Sequence, residues 1–185
     1  WILPDTMDKL YLSHRENPVP LMIGNNANDG TTLSANANMT VPEYVSFIKG
    51  RFGNDTSAVL TKYPANSTAE VQLRLAQIIT DYDFSDSVKF AAGSMGDISP
   101  DTYVYRYSYI LPGQSNGAFH GSETLLLFGV PVPADPAVAA NVVDLWTRFA
   151  KTGNPNGGMN IIWPNYTKEK GRYLDINITP SVMAG

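Results

Sequence analysis

The sequence predicts an α/β fold, and three observations support that class. Apolar or alternating segments predict strands at residues 19–23, 102–110 and 172–176. Two capping boxes and a further amphipathic segment predict long helices between these strands. The resulting order is strand, several helices, strand, helix, strand, which indicates a helical insertion between the first two strands.

The first strand and the helices that follow it have short local signals. Residues 19–23 form an apolar run that Gly24 should stop, so we expect a buried strand that ends in a loop. The tetrapeptide T-V-P-E at residues 40–43 is a capping box with proline near the helix start, and it predicts a helix that reaches Gly53. A second box, S-T-A-E at residues 67–70, opens another amphipathic helix.

The later elements follow the same logic. Residues 83–96 keep helical spacing of apolar side chains, and residues 102–110 alternate aromatic and β-branched side chains as a strand does. Residues 137–150 predict an amphipathic helix, and residues 172–176 a short strand. We expect the tail from Thr179 onwards to be loose.

Composition excludes several classes of function. The 185 residues include 43% hydrophobic and 16% charged residues, which is ordinary for a globular protein. The net charge of −4 comes without a basic stripe, which argues against a nucleic-acid partner. No apolar run approaches the roughly 18 residues of a membrane span. With no cysteine and only His14 and His120 as histidines, we expect no cysteine chemistry and no His-rich metal site.

The compartment stays open at this point. Five N-x-[ST] sequons, more than composition alone predicts, favour an extracytoplasmic protein. A polar, asparagine-rich surface gives the same count, and the lack of cysteine is compatible with the cytoplasm. The sequons begin at Asn38, Asn54, Asn66, Asn165 and Asn177. The chain starts at Trp1 without signal-peptide features, so we expect that it begins inside a longer protein.

Two serines lie in sequences similar to a nucleophile elbow, a sharp turn between a strand and a helix. Ser94 has a helix before it and a strand after it, which is the reverse order. Ser115, in G-Q-S-N-G, follows a strand but no helix follows it. No carboxylate lies between Ser115 and His120 to complete the order serine, acid, histidine. We therefore expect neither serine to be a nucleophile.

His120 and Asp29 each lie in a glycine-rich loop shortly after a predicted strand. Catalytic groups of α/β proteins occupy such loops. The order strand, acid loop, strand, histidine loop matches the second half of a hydrolase triad. A surface histidine and a plain Asp-Gly turn remain the alternative interpretations.

Several motifs resemble those of the type B carboxylesterases, the cholinesterase-like α/β-hydrolases. G-N-N-A-N-D-G at residues 24–30 resembles their acid-loop motif G-x-N-x-x-E-G, and G-A-F-H-G-S-E at residues 117–123 resembles their histidine motif. Further matching segments follow the family in order, so the resemblance covers nearly the whole chain. They are residues 79–84, 103–109, 128–129, 144–157, 163–166 and 173–176.

The resemblance implies that residues 1–185 are the C-terminal portion of a single α/β-hydrolase domain, with a mostly parallel sheet flanked by helices. His120 would be the catalytic histidine and Asp29 the catalytic acid of a serine esterase acting on small ester substrates. The acid is most often glutamate in this family, and the shorter aspartate requires the two loops to approach more closely. The nucleophilic serine and the oxyanion loop precede the acid in this family. They would belong to an N-terminal portion, which becomes a required partner, and residues 1–185 alone would be inactive.

The resemblance also assigns supporting roles. Glu123 would help to fix the histidine loop, or would simply be a favourable charge at a helix start. Leu125, Leu126 and Phe128 are candidate walls of the substrate pocket, and the helices of the insertion would frame its entrance. The family requires no cofactor.

Two other interpretations belong to different classes. A cholinesterase-like domain without catalysis would serve adhesion or protein contact, and the residue at the serine position would decide between it and an esterase. A calcium-binding loop starting at Asp81, Asp83 and Ser85 fails because Asp86 stands at its glycine position and Ala92 at its glutamate position.

Overall fold

The computed structural model describes residues 2–35 and 37–185. The order of helices and strands within them confirms the α/β class, with five helices inserted between the first two strands. The elements are α1 (Met7–Leu12), β1 (Leu21–Asn26), α2 (Gly30–Leu33), α3 (Val41–Phe52), α4 (Thr56–Lys62), α5 (Thr68–Ile78), α6 (Asp86–Ile98), β2 (Thr102–Tyr107), α7 (Ser122–Leu127), α8 (Pro136–Thr152), β3 (Arg172–Ile176) and β4 (Ser181–Ala184). A 3₁₀ turn (Gly53–Asp55) precedes α4, and a π-helical turn (Ile79–Ser85) joins α5 to α6.

The four strands form one mostly parallel sheet in the order β1-β2-β3-β4. Strand β2 pairs in parallel with β1 and with β3, while β4 runs antiparallel to β3. The register places Asn26, the last residue of β1, beside Tyr107, the last residue of β2. The carboxyl ends of these two strands therefore lie at the same edge of the sheet.

Helices cover both faces of the sheet. Tyr103 and Tyr107 of β2 belong to a core that also includes side chains of α7 and α8. Val104, between them, packs instead with Val88 and Ala92 of α6. Successive side chains of a strand point to opposite faces, which is why β2 contributes to both cores.

The inserted helices have a hydrophobic cluster of their own. Buried side chains of α3 and α5, including Ile48 and Leu75, pack together there. Both predicted helix starts are confirmed: the capping box of Thr40 with Glu43 opens α3, and the Ser67 side chain accepts a hydrogen bond from the backbone of Glu70 at the start of α5. Because it has its own core, the insertion is more than a loop between two strands.

Three sequence-based predictions about strands were wrong. The strand predicted at residues 102–110 ends at Tyr107, since only residues 102–107 pair with β1. Gly24 does not end the first strand, which continues to Asn26, because the backbone of Gly24 pairs with Tyr105 of β2. A Cβ at residue 24 would lie 2.3 Å from the carbonyl oxygen of Tyr105, so this close pairing requires glycine. The tail after Thr179 is ordered as β4, since its backbone pairs with β3 from Arg172 to Asp175.

The described part of the chain contains no helix with the length and apolar character needed to cross a bilayer.

Candidate active site

Two loops meet beyond the carboxyl ends of β1 and β2. We call residues 26–30, which start with the last residue of β1, the acid loop and residues 117–121 the histidine loop. An isolated parallel bridge between Asn28 and Phe119 extends the strand pairing into them. In open α/β sheets this edge is the usual position of a binding or catalytic site. The topology therefore places the loops side by side although they are far apart in sequence.

The structure brings Asp29 and His120 into direct contact. Nδ1 of His120 lies 2.9 Å from Oδ1 of Asp29, and Oδ2 of Asp29 accepts the backbone N–H of Asn26 at 2.7 Å. A carboxylate can only accept a hydrogen bond, so the imidazole carries its proton on Nδ1 and Nε2 is free to act as a base. The Asp29 side chain is 3% exposed, whereas that of His120 is 49% exposed.

The outer side of the imidazole stays open. Within residues 2–35 and 37–185, no hydrogen-bond partner contacts Nε2 of His120. The ring of Phe84 packs against the imidazole, with ring centroids 5.0 Å apart. Phe84 lies in the π-helical turn of the insertion, a type of element that occurs frequently at functional sites. One side of the ring is thus supported, while Nε2 remains accessible.

The inserted helices support the acid loop from below. The backbone N–H of Gly30 donates to Oγ1 of Thr80 at 2.9 Å, and that hydroxyl donates to the carbonyl of Ala76 at 2.9 Å. A Cβ on Gly30 would lie 2.0 Å from the carbonyl oxygen of Ala76. Only glycine allows this approach, which explains why a glycine follows the acid.

Hydrogen bonds also join the two loops to each other. The backbone of Asn28 donates to the carbonyl of Ala118 at 3.0 Å, and the backbone of Ala118 donates to Oδ1 of Asn28 at 3.0 Å. The Nδ2 group of Asn26 donates to the carbonyl of Phe119 at 2.7 Å and to the carboxylate of Glu123 in the first turn of α7. Glu123 therefore reaches the acid loop through the amide of Asn26.

Two tyrosines of β2 lie close to the carboxylates, the buried Tyr107 and the half-buried Tyr105. Burial raises the pKa of Tyr105 and Tyr107 well above the ordinary value, and the Glu123 carboxylate raises both further. Asp29 adds a smaller increase to the pKa of Tyr105. Both hydroxyls therefore stay neutral at any physiological pH and add no further charge beside the site.

The three residues predicted to line the substrate pocket differ in their exposure to solvent. Leu126 is buried in the core shared by α7 and α8, and Leu125 packs at the edge of the same core. The Phe128 side chain is 78% exposed. Their role as walls of a substrate pocket stays a prediction.

Neither candidate serine contacts the imidazole. Ser115 is exposed in the loop before Ala118, and Ser94 is buried in α6, where its hydroxyl donates to the carbonyl of Tyr11 at 3.0 Å. In the described residues, no hydrogen bond joins either hydroxyl to His120.

Sequence reasoning gave no role to four residues that shape the site, namely Asn26, Asn28, Thr80 and Phe84, although residues 79–84 were among the segments that resemble the family. Asn26 occupies the asparagine of the acid-loop motif G-x-N-x-x-E-G, so that motif carried a signal for it. Thr80 and Phe84 come from the insertion, and only the folded chain brings them to the loops.

The family model described as "Carboxylesterase family" matches residues 1–185. The chain belongs to the carboxylesterase family. Its fold is accordingly that of an α/β-hydrolase, in agreement with the parallel sheet and flanking helices.

Relatives of this carboxylesterase-family chain include proteins named as carboxylesterases, an esterase and a lipase. It is 30% identical to carboxylesterase 4A of Bos taurus over 60% of this chain and 22% of that protein. It is 27% identical to lipase 2 of Geotrichum candidum over 98% of this chain and 35% of that protein. Fumonisin B1 esterase of Sphingopyxis macrogoltabida is 25% identical over 81% of this chain and 31% of that protein. The chain thus spans only 22% to 35% of the length of these relatives.

Proposed function

We propose that this chain supplies the histidine and the acid of a Ser-His-Asp triad that hydrolyses carboxylic esters. The observation that carries the proposal is the 2.9 Å hydrogen bond between Asp29 Oδ1 and His120 Nδ1, formed across 91 positions of sequence. Membership of the carboxylesterase family and the ester-hydrolysing names of the relatives support the reaction class.

In the mechanism, every proton transfer takes place at Nε2 of His120, and Nδ1 keeps its proton throughout. Nε2 of His120 takes the proton of a serine hydroxyl as the serine oxygen attacks the ester carbonyl carbon. The imidazolium then protonates the leaving alcohol, and in the second half-reaction Nε2 activates water to release the acid. Asp29 keeps the proton on Nδ1 and stabilises the imidazolium, a task for which its buried, doubly hydrogen-bonded carboxylate is suited.

We assign the serine and the oxyanion-hole donors to an N-terminal portion of the same protein. The open Nε2 of His120 supports this assignment, because it leaves room for a hydroxyl that the described residues do not provide. Neither Ser94 nor Ser115 fits the role. The hydroxyl of Ser94 is bonded to a backbone carbonyl. A helix does follow Ser115, contrary to the prediction, but α7 begins only at Ser122, so Ser115 lies in an exposed loop and not at an elbow.

The remaining predicted residues receive supporting roles. Glu123 holds the histidine loop through the amide of Asn26. Leu125 and Phe128 would contact an apolar group of the ester, with Leu126 packed beneath them in the core. The substrate class is a small carboxylic ester, and no cofactor takes part in the mechanism.

Hydrolysis of a short p-nitrophenyl ester tests the proposal. The natural full-length polypeptide should be active, whereas residues 1–185 alone, verified as folded by circular dichroism, should not be. His120→Ala should reduce the activity of the full-length polypeptide to background, because no other group in the site can serve as the base.

Ser115→Ala is the matched control. It removes the hydroxyl of the G-x-S-x-G sequence and should leave the activity nearly unchanged. Full activity of the His120→Ala variant, or loss of activity in Ser115→Ala, would contradict the proposed assignment of the triad.

A further inference from the structure

We infer that Asn26 and Asn28 are positioning residues that lock the histidine loop to the acid loop and thereby keep the proton of His120 on Nδ1. The catalytic meaning of this inference rests on the proposed function, but the contacts themselves do not. Asn26 and Asn28 both lie within three residues before Asp29, and each forms hydrogen bonds to one of the two residues before His120.

Asn26 donates hydrogen bonds both to the acid and to the histidine loop. Its backbone N–H holds Oδ2 of Asp29, and its side-chain Nδ2 holds the carbonyl of Phe119 and the carboxylate of Glu123. Nδ2 also lies 3.4 Å from the hydroxyl oxygen of Ser122, but the Phe119 carbonyl and the Glu123 carboxylate can only accept, which fixes the orientation of the amide. Asn26 is 1% exposed, so no water competes for these bonds. One buried residue therefore fixes the acid and the chain segment that carries the histidine.

Asn28 acts with the opposite polarity. Its Oδ1 accepts the backbone N–H of Ala118 at 3.0 Å, while its own backbone N–H donates to the carbonyl of Ala118 at 3.0 Å. The pair resembles the double exchange between facing strand residues and fixes the histidine loop two residues before the imidazole. The side chain of Asn28 is needed only as an acceptor.

Because the side chain of Asn26 donates and that of Asn28 accepts, substitution by aspartate should have opposite consequences at the two positions. Asn28→Asp keeps an acceptor in the same place, so the bond to Ala118 survives. Asn26→Asp removes both donors and sets a second carboxylate against that of Glu123 in a buried site, which is strongly unfavourable. If the asparagines act as inferred, the same chemical change is harmless at residue 28 and harmful at residue 26.

The tautomer of His120 can be measured directly, and it would not change if the two asparagines only stabilised the fold. Long-range proton–nitrogen correlation spectra of the full-length polypeptide with isotope-labelled histidine distinguish Nδ1–H from Nε2–H, and the His120 signal is assigned by its loss in His120→Gln. We expect Nδ1–H as the major form in the unchanged protein. Asn26→Ala, Asn26→Asp and Asn28→Ala should lose it as the major form, and Asn28→Asp should retain it.

Kinetics on a p-nitrophenyl ester give the second readout. Loss of either link should lower kcat on the order of 10²-fold, as expected for a base displaced by about 1 Å, with little change in KM. Asn177→Ala is the matched control, since Asn177 follows β3 at the same edge of the sheet but its side chain donates to Ser108, not to either loop. It should change neither the tautomer nor kcat.

Two outcomes would overturn the inference: an Asn26→Asp protein that keeps Nδ1–H and normal kcat, or an Asn28→Asp protein that behaves like Asn28→Ala. If Asn26→Asp fails to fold, the two variants of the half-buried Asn28 still decide the question. Absence of any esterase activity in the unchanged protein would instead refute the proposed function, while the tautomer measurement would still test the positioning role.

Discussion

The acid loop and the histidine loop are joined by several hydrogen bonds but are held in different ways. Asp29 has a side chain that is 3% exposed, and both of its carboxylate oxygens are occupied. The loop beneath it rests on the insertion through Gly30. His120 has a side chain that is 49% exposed, and its loop is fixed by bonds to the acid loop and to α7. The acid is therefore the fixed reference, and the histidine is oriented by it while keeping one open side.

This asymmetry suits a proton-transfer site. A base must expose one nitrogen to the reacting hydroxyl, but it must not rotate, and a buried carboxylate on a rigid loop meets both demands. The same asymmetry has a consequence for substitutions. Substitutions in or beneath the acid loop should disturb both Asp29 and His120. The loss of activity should be largest for substitutions of Asp29 itself and smaller for substitutions that act on it through other residues.

Asp29→Asn should have the largest effect. The amide has nearly the same shape, but it cannot stabilise the imidazolium, and its NH₂ group favours the wrong tautomer of His120. By analogy with a measured serine-protease triad, turnover should fall on the order of 10⁴-fold. Steady-state hydrolysis of a p-nitrophenyl ester by the full-length polypeptide measures the loss. The control is Asp55→Asn, an exposed acid in the 3₁₀ turn, which should retain full turnover. Equal activity of the two variants would remove Asp29 from its assigned role.

Local sequence signals predicted the elements that depend on local chemistry. The capping boxes at residues 40–43 and 67–70 gave the starts of α3 and α5, since a cap needs only the residues beside it. Strand β3 has the predicted bounds. The pairing of β4 with β3 and the passage of Gly24 through β1 depend on a neighbouring strand, and no pattern within either segment reveals that neighbour.

The site divides in the same way. The motifs around Asp29 and His120 were informative because each loop has a distinctive glycine spacing. Thr80 and Phe84 lie in the matching segment 79–84, but their contacts could not be predicted, because both arise where a π-helical turn of the insertion approaches the loops. Asn26 lay within a quoted motif, but its role depends on Glu123, which is 97 positions away.

Gly30→Ala should have the next largest effect. The new Cβ would lie 2.0 Å from the backbone oxygen of Ala76, which cannot rotate away as a side chain can. We expect unfolding to become easier by about 3 kcal/mol and esterase activity to fall, because the displaced loop carries Asp29. Chemical denaturation and ester hydrolysis measure the two effects.

Gly50→Ala is the control for that substitution, and its expected sign is opposite. Gly50 lies inside α3 with no atom within 4 Å of its Cβ position, so alanine should stabilise the protein by about 1 kcal/mol. If Gly30→Ala were also neutral or stabilising, the acid loop would not depend on its close approach to the insertion.

The smallest effect is expected from Thr80→Val, which separates the hydrogen bond to the acid loop from packing. Valine preserves the volume of the side chain but leaves the buried N–H of Gly30 without its 2.9 Å acceptor. The unmet donor should cost about 1 kcal/mol of stability, with only a small loss of activity because the Gly30–Ala76 contact remains. Thr80→Ser keeps the hydroxyl and should restore the activity, measured by the same denaturation and ester assays. Should the valine and serine variants behave alike, the support of Asp29 by the insertion would come from close packing at Gly30 alone, and the polar link through Thr80 would have no part in holding the acid.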